Sequence, residues 1–213
     1  MSKLRAHISV SADGYVAGPN QSKEEPLGEG GESLHDWVVA LAAWREPHGK
    51  EGGEVNASTA VMEESLANVG AEIMGRGKFG GGPGPWPDEP WQGWWGDNPP
   101  FHMPVFVLTH HNREPLTLSD TTFTFVTDGI ESALEQARAA AGGRDVMLGG
   151  GADTINQYLA AGLLDELDLH VAPIILGGGA RLFEGVGPDV KLEQERVIDA
   201  PGVTHVKYRV TTA

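Results

Sequence analysis

Two glycine-rich segments contain residues that are suited to binding a phosphate group. Gly149-Gly150-Gly151 follows an apolar run and precedes a segment with helical periodicity. At such a junction the glycines let backbone N–H groups approach a ligand, and the positive end of the helix dipole favours an anion. Gly75-Arg76-Gly77-Lys78 also follows an apolar run, and it adds a guanidinium and an ammonium group. A strand-to-helix turn that binds nothing explains the three glycines equally well, so both interpretations stay open.

The hydropathy pattern predicts the elements that position these segments. It predicts strands over residues 4–10, 71–74, 105–108, 123–126, 146–148, 167–175, 192–198 and 203–210, and helices over 33–44, 61–70, 130–141 and 152–161. Strands and helices alternate in the middle of the chain, and the last three strands have no helices between them. This order predicts one α/β domain over residues 1–213, with a mixed, mostly parallel central sheet flanked by helices and antiparallel carboxy-terminal strands.

The ends of three predicted strands indicate where a ligand would bind. If the strands that end at Met74, Leu108 and Leu148 are parallel neighbours, the loops that follow them share one edge of the sheet. Ligands of open α/β sheets bind at that edge. We therefore expect the three loops to converge on one anionic ligand.

Composition and charge exclude several functions. The 213 residues include 15 Lys and Arg against 30 Asp and Glu, which gives a formal charge of −15. Nucleic-acid binding needs a basic surface, so we expect no nucleic-acid partner. The absence of cysteine excludes disulfides, thiolate zinc sites and cysteine nucleophiles. No apolar stretch has the length of a signal segment or a membrane span, so we expect a cytoplasmic protein with no membrane partner.

Neighbouring histidines at the end of one predicted strand suggest a metal site at first sight. His110 and His111 are adjacent in the sequence. Adjacent residues at a strand end point to opposite faces, so the two side chains cannot easily bind one ion. We therefore expect no metal site.

The carboxy-terminal part of the sequence resembles a known family. Residues 146–183 combine the glycine-initiated helix, the segment Gly162-Leu163-Leu164-Asp165-Glu166-Leu167, the strand Ala172-Pro173-Ile174 and the turn Gly177-Gly178-Gly179. In this order they resemble the carboxy-terminal reductase domain of the bifunctional riboflavin-synthesis deaminase-reductase, within the dihydrofolate reductase-like superfamily. Residues 11–17, and Met74-Gly75-Arg76 with Thr109, resemble the first loop and the two other cofactor loops of that family.

The resemblance implies a dihydrofolate reductase-like fold and NADPH as the hydride donor. It puts Gly149, Gly150, Gly151, Ala152 and Asp153 beside the pyrophosphate, with a cis peptide bond between two glycines, and Thr154 beneath the cofactor. It puts Gly75, Arg76, Gly77 and Lys78 at the phosphates, Leu108, Thr109 and His110 at the adenosine 2′-phosphate, and Val16 and Ala17 at the nicotinamide. His110 stands where Ser or Arg is commoner in the family, which leaves the preference between NADPH and NADH open.

The substrate side of the resemblance is incomplete. Dihydrofolate reductases carry a carboxylate three residues before a Trp, and here Leu34 holds that place before Trp37. Asp36 and Asp13 are the candidate catalytic carboxylates, although Asp36 also fits an exposed surface residue and Asp13 also fits an ordinary Asp-Gly turn. His35 and Trp37 are the candidate substrate contacts, although His35 also fits a residue that faces solvent.

The resemblance implies an NADPH-dependent reductase that transfers a hydride to a small heterocyclic or sugar-derived substrate, pterin-like or 5-amino-6-(5-phosphoribosylamino)uracil-like. The alternative is a non-catalytic nucleotide-binding or interaction protein that retains the fold. Trp86, Trp91, Trp94 and Trp95 could close over a planar substrate or lie at a subunit interface. We expect a homodimer in which the carboxy-terminal strands pair across a two-fold axis.

Overall fold

A nine-stranded sheet forms the centre of the protein, whose computed structural model describes residues 2–87 and 91–212. The strands in chain order are β1 (Leu4–Ser11), β2 (Tyr15–Ala17), β3 (Val69–Gly75), β4 (Pro104–Leu108), β5 (Leu116–Leu118), β6 (Thr121–Val126), β7 (Asp145–Leu148), β8 (Glu166–Ala172), β9 (Ala180–Arg181), β10 (Val190–Ala200) and β11 (Val203–Thr212). The order across the main sheet is β10-β11-β8-β1-β7-β3-β4-β6-β5, and β2 pairs with β9 in a separate two-stranded sheet.

The direction of the strands confirms the predicted α/β architecture. The six strands from β8 to β6 in the spatial order run parallel to one another, and the edge strand β5 is antiparallel to β6. The carboxy-terminal strand β11 is antiparallel to both β8 and β10. The predicted strand ends at Met74, Leu108 and Leu148 therefore do lie on neighbouring parallel strands, β3, β4 and β7.

Helices cover both faces of the sheet. They are α1 (Asp36–Val39), α2 (Ala42–Arg45), α3 (Ala57–Leu66), α4 (Arg76–Phe79), α5 (Ile130–Ala141) and α6 (Ala152–Ala160), with 3-10 helices at Gly31–His35 and Glu46–His48. The apolar sides of α5 and α6 pack with Leu4, Ala6 and Ile73 in the main core. Helix α1 packs on the other face, where Trp37 contacts the buried Val203. Within residues 2–87 and 91–212, no helix has the length and apolar character needed to cross a bilayer.

The first two predicted helices are wrong in their extent. The predicted helix over 33–44 is broken at Leu41, which has extended backbone angles and forms a β-bridge with Glu54. Backbone bonds from Ala42 N–H to Glu54 and from Glu54 N–H to Ala40 replace helical bonds at this point. The second helix ends at Leu66, and residues 69–70 belong to β3 instead. The reason is a turn at Asn68, whose φ of 59° lies in the left-handed region.

Smaller differences occur at other element ends. Residues 76–79, which are in none of the predicted helices, form the single helical turn α4. Strand β8 ends at Ala172, because Pro173 has no N–H to continue the ladder. The strands β2, β5 and β9 were not predicted, since two or three residues are too few to show an alternating pattern.

The Trp-rich loop (residues 80–87 and 91–103) packs on its own chain and forms a second apolar cluster. Trp86, Trp91 and Trp95 cover a buried set that includes Phe79 and Phe123. The indole N–H groups donate to backbone carbonyls at 2.8–2.9 Å: Trp86 to His111, Trp91 to Phe79, and Trp94 to Lys78. The loop therefore folds onto one end of the sheet through its aromatic rings and its indole donors together.

Candidate functional site

A cleft of about 1590 Å³ opens at the carboxyl edge of the parallel strands. We call it the edge cleft. Residues that follow β3, β4 and β6 line it together with the start of α6 and the segments Gln21–Lys23 and 91–94. The predicted cofactor residues in its lining are Gly75, Arg76, Gly77, Leu108, Thr109, His110, Asp153 and Thr154. Two of the three loops predicted to converge thus border one cleft. The third predicted loop reaches it only through Asp153 and Thr154, because Gly149, Gly150, Gly151 and Ala152 are not in the lining.

Backbone hydrogen bonds hold the two glycine segments against each other. Gly75 N–H donates to Gly150 at 2.9 Å, and Gly149 N–H donates to Ile73 at 2.8 Å. A Cβ at Gly75 would lie 2.3 Å from Thr154 Oγ1, so this contact requires glycine. The Gly150–Gly151 peptide bond is cis, as the resemblance implied.

The start of α6 is open to a ligand. No side chain caps this nine-residue helix, whose first residues are Ala152 and Asp153. A Cβ added at Gly151 or Gly77 would meet no atom within 4 Å. Free N–H groups at the positive end of a helix dipole suit an anion, so these positions fit a phosphate that approaches the backbone.

Arg76 lines the edge cleft but its guanidinium is engaged by the Trp-rich loop. Its Nη1 donates to Gly84 O at 2.7 Å, and its guanidinium carbon lies 3.6 Å from the ring centroid of Trp86. Burial, and to a lesser degree the nearby charge of Arg113, lowers the pKa of Arg76. Direct contact of Arg76 with a phosphate stays a prediction, and its observed role is to fix the wall of the cleft.

Lys78, the second predicted phosphate ligand, is paired with a carboxylate. Its Nζ lies 2.8 Å from Glu72 Oε1, and the Glu72 side chain is only 9% exposed. A Cβ at Gly149 would come within 2.1 Å of Glu72 Oε1 and 2.5 Å of Lys78 Nζ. The ion pair therefore packs against the Gly149 backbone, and Glu72 balances the charge of Lys78.

Val16 and Ala17 are buried and do not line the edge cleft. They are 8% and 4% exposed, and Val16 packs in the main core. Strand β2, which contains both, pairs with β9. Their predicted contact with the nicotinamide needs an approach along the backbone and stays a prediction.

Asp13, the first candidate catalytic carboxylate, stabilises a turn. It accepts hydrogen bonds from Ser11 Oγ at 2.6 Å, from Gly177 N–H at 2.7 Å and from Leu176 N–H at 3.1 Å. These bonds, that of Ser11 foremost, lower the pKa of Asp13 to about 2. The carboxylate is ionised at neutral pH and has no proton to donate, so these contacts do not favour the predicted role in catalysis.

The other candidate carboxylate, Asp36, and the candidate substrate contact Trp37 both lie in α1. Asp36 is exposed, and Leu34, in the place of the family's acid, is fully buried. Trp37 is 8% exposed, and its indole N–H donates to Ser9 Oγ at 3.0 Å. Trp37 is therefore a packed residue beneath the sheet, and its contact with a substrate stays a prediction.

Four histidines, two of them buried and two half-buried, form a polar layer on the same face of the sheet as Trp37. We call His7, His35, His170 and His205 the imidazole layer. The Nδ1 atoms of His170 and His205 lie 2.8 Å apart, and His205 Nε2 lies 2.9 Å from Ser58 Oγ. Burial lowers the pKa of all four, to about 4 for His7 and His205, so they are neutral at pH 7. Among the described residues, no group of three or more His, Asp or Glu has a geometry that could hold a metal ion.

Several lining residues of the edge cleft were not found from the sequence. They are Gln21, Ser22, Lys23 and Pro26 on one wall, Gly80 after α4, and Thr127, Gly129 and Ile130 after β6. The spacing Gly75, Gly77 and Gly80, a glycine-rich pattern after a strand, could have pointed to Gly80. Gly129 lies between β6 and α5, in the same strand, turn and helix order as the segments between β3 and α4 and between β7 and α6. That order could have pointed to Gly129.

Comparison with known proteins extends these observations. A family model described as the RibD C-terminal domain matches residues 2–206. The protein YyaP of Bacillus subtilis (strain 168), which is uncharacterised, is 32% identical over 90 residues. That match covers 42% of this chain and 47% of YyaP, so it spans about half the length of this relative.

Solved structures share the fold at low sequence identity. A candidate riboflavin biosynthesis protein from Shewanella sp. PV-4 has a TM-score of 0.63 and 21% identity, and the match covers 98% of this chain and 99% of that one. Dihydrofolate reductase from Enterococcus faecalis, in complex with NADP(H), has a TM-score of 0.54 and 13% identity, with 98% and 96% covered. The fold is therefore dihydrofolate reductase-like.

Arg76→Ala should loosen the Trp-rich loop. The change removes the bond to Gly84 O and the stacking on Trp86, and we expect the free energy of unfolding to fall by about 1–3 kcal/mol. Urea denaturation measures this loss, and limited proteolysis should show faster cleavage within the loop. Arg138→Ala is the control, because the ion pair of Arg138 with Asp165 is long and exposed. Equal stability of both variants would contradict this role of Arg76.

The imidazole layer should make the protein less stable as the pH falls from 6.5 toward 4. An unfolded histidine takes up a proton near pH 6.5, whereas His7 and His205 stay neutral in the fold down to about pH 4. The unfolded state then binds more protons than the folded state does. As the pH falls, the free energy of unfolding therefore decreases by up to about 1.4 kcal/mol per pH unit for each histidine. Urea denaturation at pH 7 and 5.5 measures the slope. His205→Gln should reduce it, and His110→Gln, at an exposed position, should not.

Proposed function

This chain belongs to the family of RibD C-terminal domains, and from that premise we propose that it is a reductase of the riboflavin-pathway type that takes its hydride from NADPH. The substrate that we propose is a small heterocyclic or sugar-derived compound, pterin-like or 5-amino-6-(5-phosphoribosylamino)uracil-like. The observation that carries the proposal is the convergence of the loops after β3, β4 and β6 on one cleft, with the open backbone of Gly77 in its border.

The residues of the edge cleft fit a dinucleotide. The volume of about 1590 Å³ exceeds the usual range of small-molecule sites, as an extended ligand requires. Gly77, Gly151 and the uncapped start of α6 would hold the phosphates through backbone N–H groups, and Thr109 and His110 would border the adenosine. Bound NADPH would supply the hydride.

The chain's own residues would bind, orient and shield the reactants. The Trp-rich loop is fixed on the sheet by three indole donors and by Arg76, so it provides a rigid wall that keeps water from one side of the edge cleft. The E. faecalis dihydrofolate reductase, which has the same fold, is in complex with NADP(H). This likeness supports the proposed cofactor.

A non-catalytic nucleotide-binding protein is the second candidate, and one observation favours it. Leu34 is buried where a proton-donating acid would stand, and Asp13 is committed to a turn. A panel of pterins, pyrimidines and quinones separates the two candidates. Oxidation of NADPH by a member of the panel supports the reductase, and tight binding of NADPH without turnover favours the second candidate.

Gly77→Leu should weaken NADPH binding without affecting the fold. Gly77 is exposed, its φ is not in the left-handed region and its Cβ position is open, so a leucine enters the edge cleft and meets no protein atom near its Cβ. We expect the Kd for NADPH, measured by calorimetry, to rise at least about tenfold, which corresponds to about 1.4 kcal/mol. Gly187→Leu is the matched control, because Gly187 is equally open and does not line the edge cleft.

Two outcomes of this titration would count against the proposal. If the wild-type protein binds neither NADPH nor NADH, the reductase function is wrong. If Gly77→Leu binds NADPH as tightly as the wild type does, the cofactor does not pass over α4. A stronger affinity for NADH than for NADPH would correct the cofactor and leave the reaction class in place.

We also propose that the β10–β11 hairpin forms a homodimer contact. Strand β10 is an edge strand of the main sheet, and its Leu192 and Val197 are 37% and 49% exposed. An edge strand offers unpaired backbone groups to a second copy, and exposed apolar side chains add area to such a contact.

Val197→Asp should convert this dimer into a monomer. A carboxylate on the hairpin cannot be buried against a second copy without a partner charge. Light scattering after size exclusion at micromolar concentration measures the mass. Val55→Asp is the control, because Val55 is 80% exposed and lies outside the hairpin. A monomeric wild-type protein at that concentration would refute the dimer.

A further inference from the structure

Two nitrogens of the imidazole layer are buried without a hydrogen-bond partner among the described residues. They are His170 Nε2 and His35 Nδ1. His170 is 2% exposed, whereas His35 is half-buried. A buried polar atom that has lost its water must be paired elsewhere, so a native protein rarely keeps two such atoms in one place. Each of the two nitrogens therefore needs a partner from outside the described chain, either an ordered water or a polar group of a ligand.

His7, whose ring neighbours that of His170, lies where the sheet opens. Strands β1 and β7 are paired only up to Ala6 and Leu148. The next residues, His7 and Gly149, stand where the two strands part. The ring centroid of His7 lies 5.7 Å from that of His170, and the charge of His35 is near enough to lower the pKa of His170 further. The layer thus begins beside the end of β7, next to the Gly149 segment.

The layer offers hydrogen bonds but no net charge. Burial keeps the imidazoles neutral at pH 7. Lys78 is the cation that acts on both His7 and His35, and it is paired with Glu72. Because Glu72 neutralises this cation, the layer favours an uncharged polar ligand over an ionic one.

His205 and Ser58 determine what His170 presents to that ligand. Only one of the two facing Nδ1 atoms can carry the shared hydrogen, and a neutral imidazole has one N–H. If Ser58 donates to His205 Nε2, His205 donates to His170 and the free Nε2 of His170 is a donor. If Ser58 accepts from His205, that Nε2 is an acceptor. A carbonyl fits the first arrangement and a hydroxyl or N–H group fits the second.

We propose that His170 Nε2 and His35 Nδ1 together bind an uncharged polar group of the substrate, and that His205 and Ser58 are positioning residues for His170. This inference rests on the proposed function, because it assigns the polar end of that enzyme's substrate pocket. In this role the imidazoles replace the carboxylate that is missing at Leu34.

Nitrogen NMR of the histidine side chains tests this assignment. Uracil and 7,8-dihydropterin serve as uncharged probes, each added at millimolar concentration to the ¹⁵N-labelled full chain with and without NADPH. We expect at least one probe to shift the imidazole resonances of His170 and His35. If neither probe shifts them, the two nitrogens hold only a fixed water and the inference is overturned.

Two substitutions at His170 separate binding from packing. Asparagine retains a polar atom near the Nδ1 position, which keeps the contact with His205, but has none at Nε2. Glutamine retains a group near Nε2. We expect His170→Asn to weaken binding of the probe at least tenfold and His170→Gln to retain part of the affinity. The Kd for NADPH should stay unchanged in both variants. Equal affinity in His170→Asn and the wild type would overturn the assignment.

A second pair of variants tests the same assignment if the His170 variants do not fold. His35 is half-buried, so His35→Asn, which retains a polar atom near Nδ1, and His35→Leu, which does not, should both fold. We expect only the leucine variant to lose the probe. If a probe shifts the histidine resonances but the protein does not bind NADPH, the proposed cofactor is wrong and this inference stands. If the protein binds NADPH but neither probe shifts the resonances, this inference alone is wrong.

Discussion

The parallel pairing of the strands from β8 to β6 is the constraint on which the rest of the structure depends. Parallel neighbours end at the same edge, so the loops after β3, β4, β6 and β7 meet there whatever their sequences are. Two backbone hydrogen bonds, from Gly75 to Gly150 and from Gly149 to Ile73, then hold the glycine segments next to each other. Because these bonds use main-chain atoms, the border of the edge cleft is as rigid as the sheet itself.

The alternation of side chains along β1 gives the two faces of the sheet different chemistry. Leu4 and Ala6 point into the apolar core under α5 and α6. His7 and Ser9, on the opposite side of the strand, join the polar layer under Trp37. One face thus supplies stability through burial, and the other buries hydrogen-bonding groups that stability alone does not require.

The sequence predicted those features that a long periodic pattern or a glycine junction specifies. Helix α5 and the parallel strands β3, β4 and β7 follow from such patterns, and so does the place of the cleft. The sequence did not predict contacts between segments that are distant along the chain. The bridge from Leu41 to Glu54, the engagement of Arg76 by the Trp-rich loop and the pairing of His170 with His205 depend on tertiary packing, which leaves no local pattern.

The anchors of the Trp-rich loop end on main-chain carbonyls, those of His111, Phe79, Lys78 and Gly84. A carbonyl is the same in every amino acid, so the side chains at the accepting positions can change through mutation without releasing the wall. The shape of the cleft and the chemistry of its lining can therefore evolve separately. A lineage of such proteins could acquire new ligand preferences on one side of the cleft while the opposite wall keeps its form.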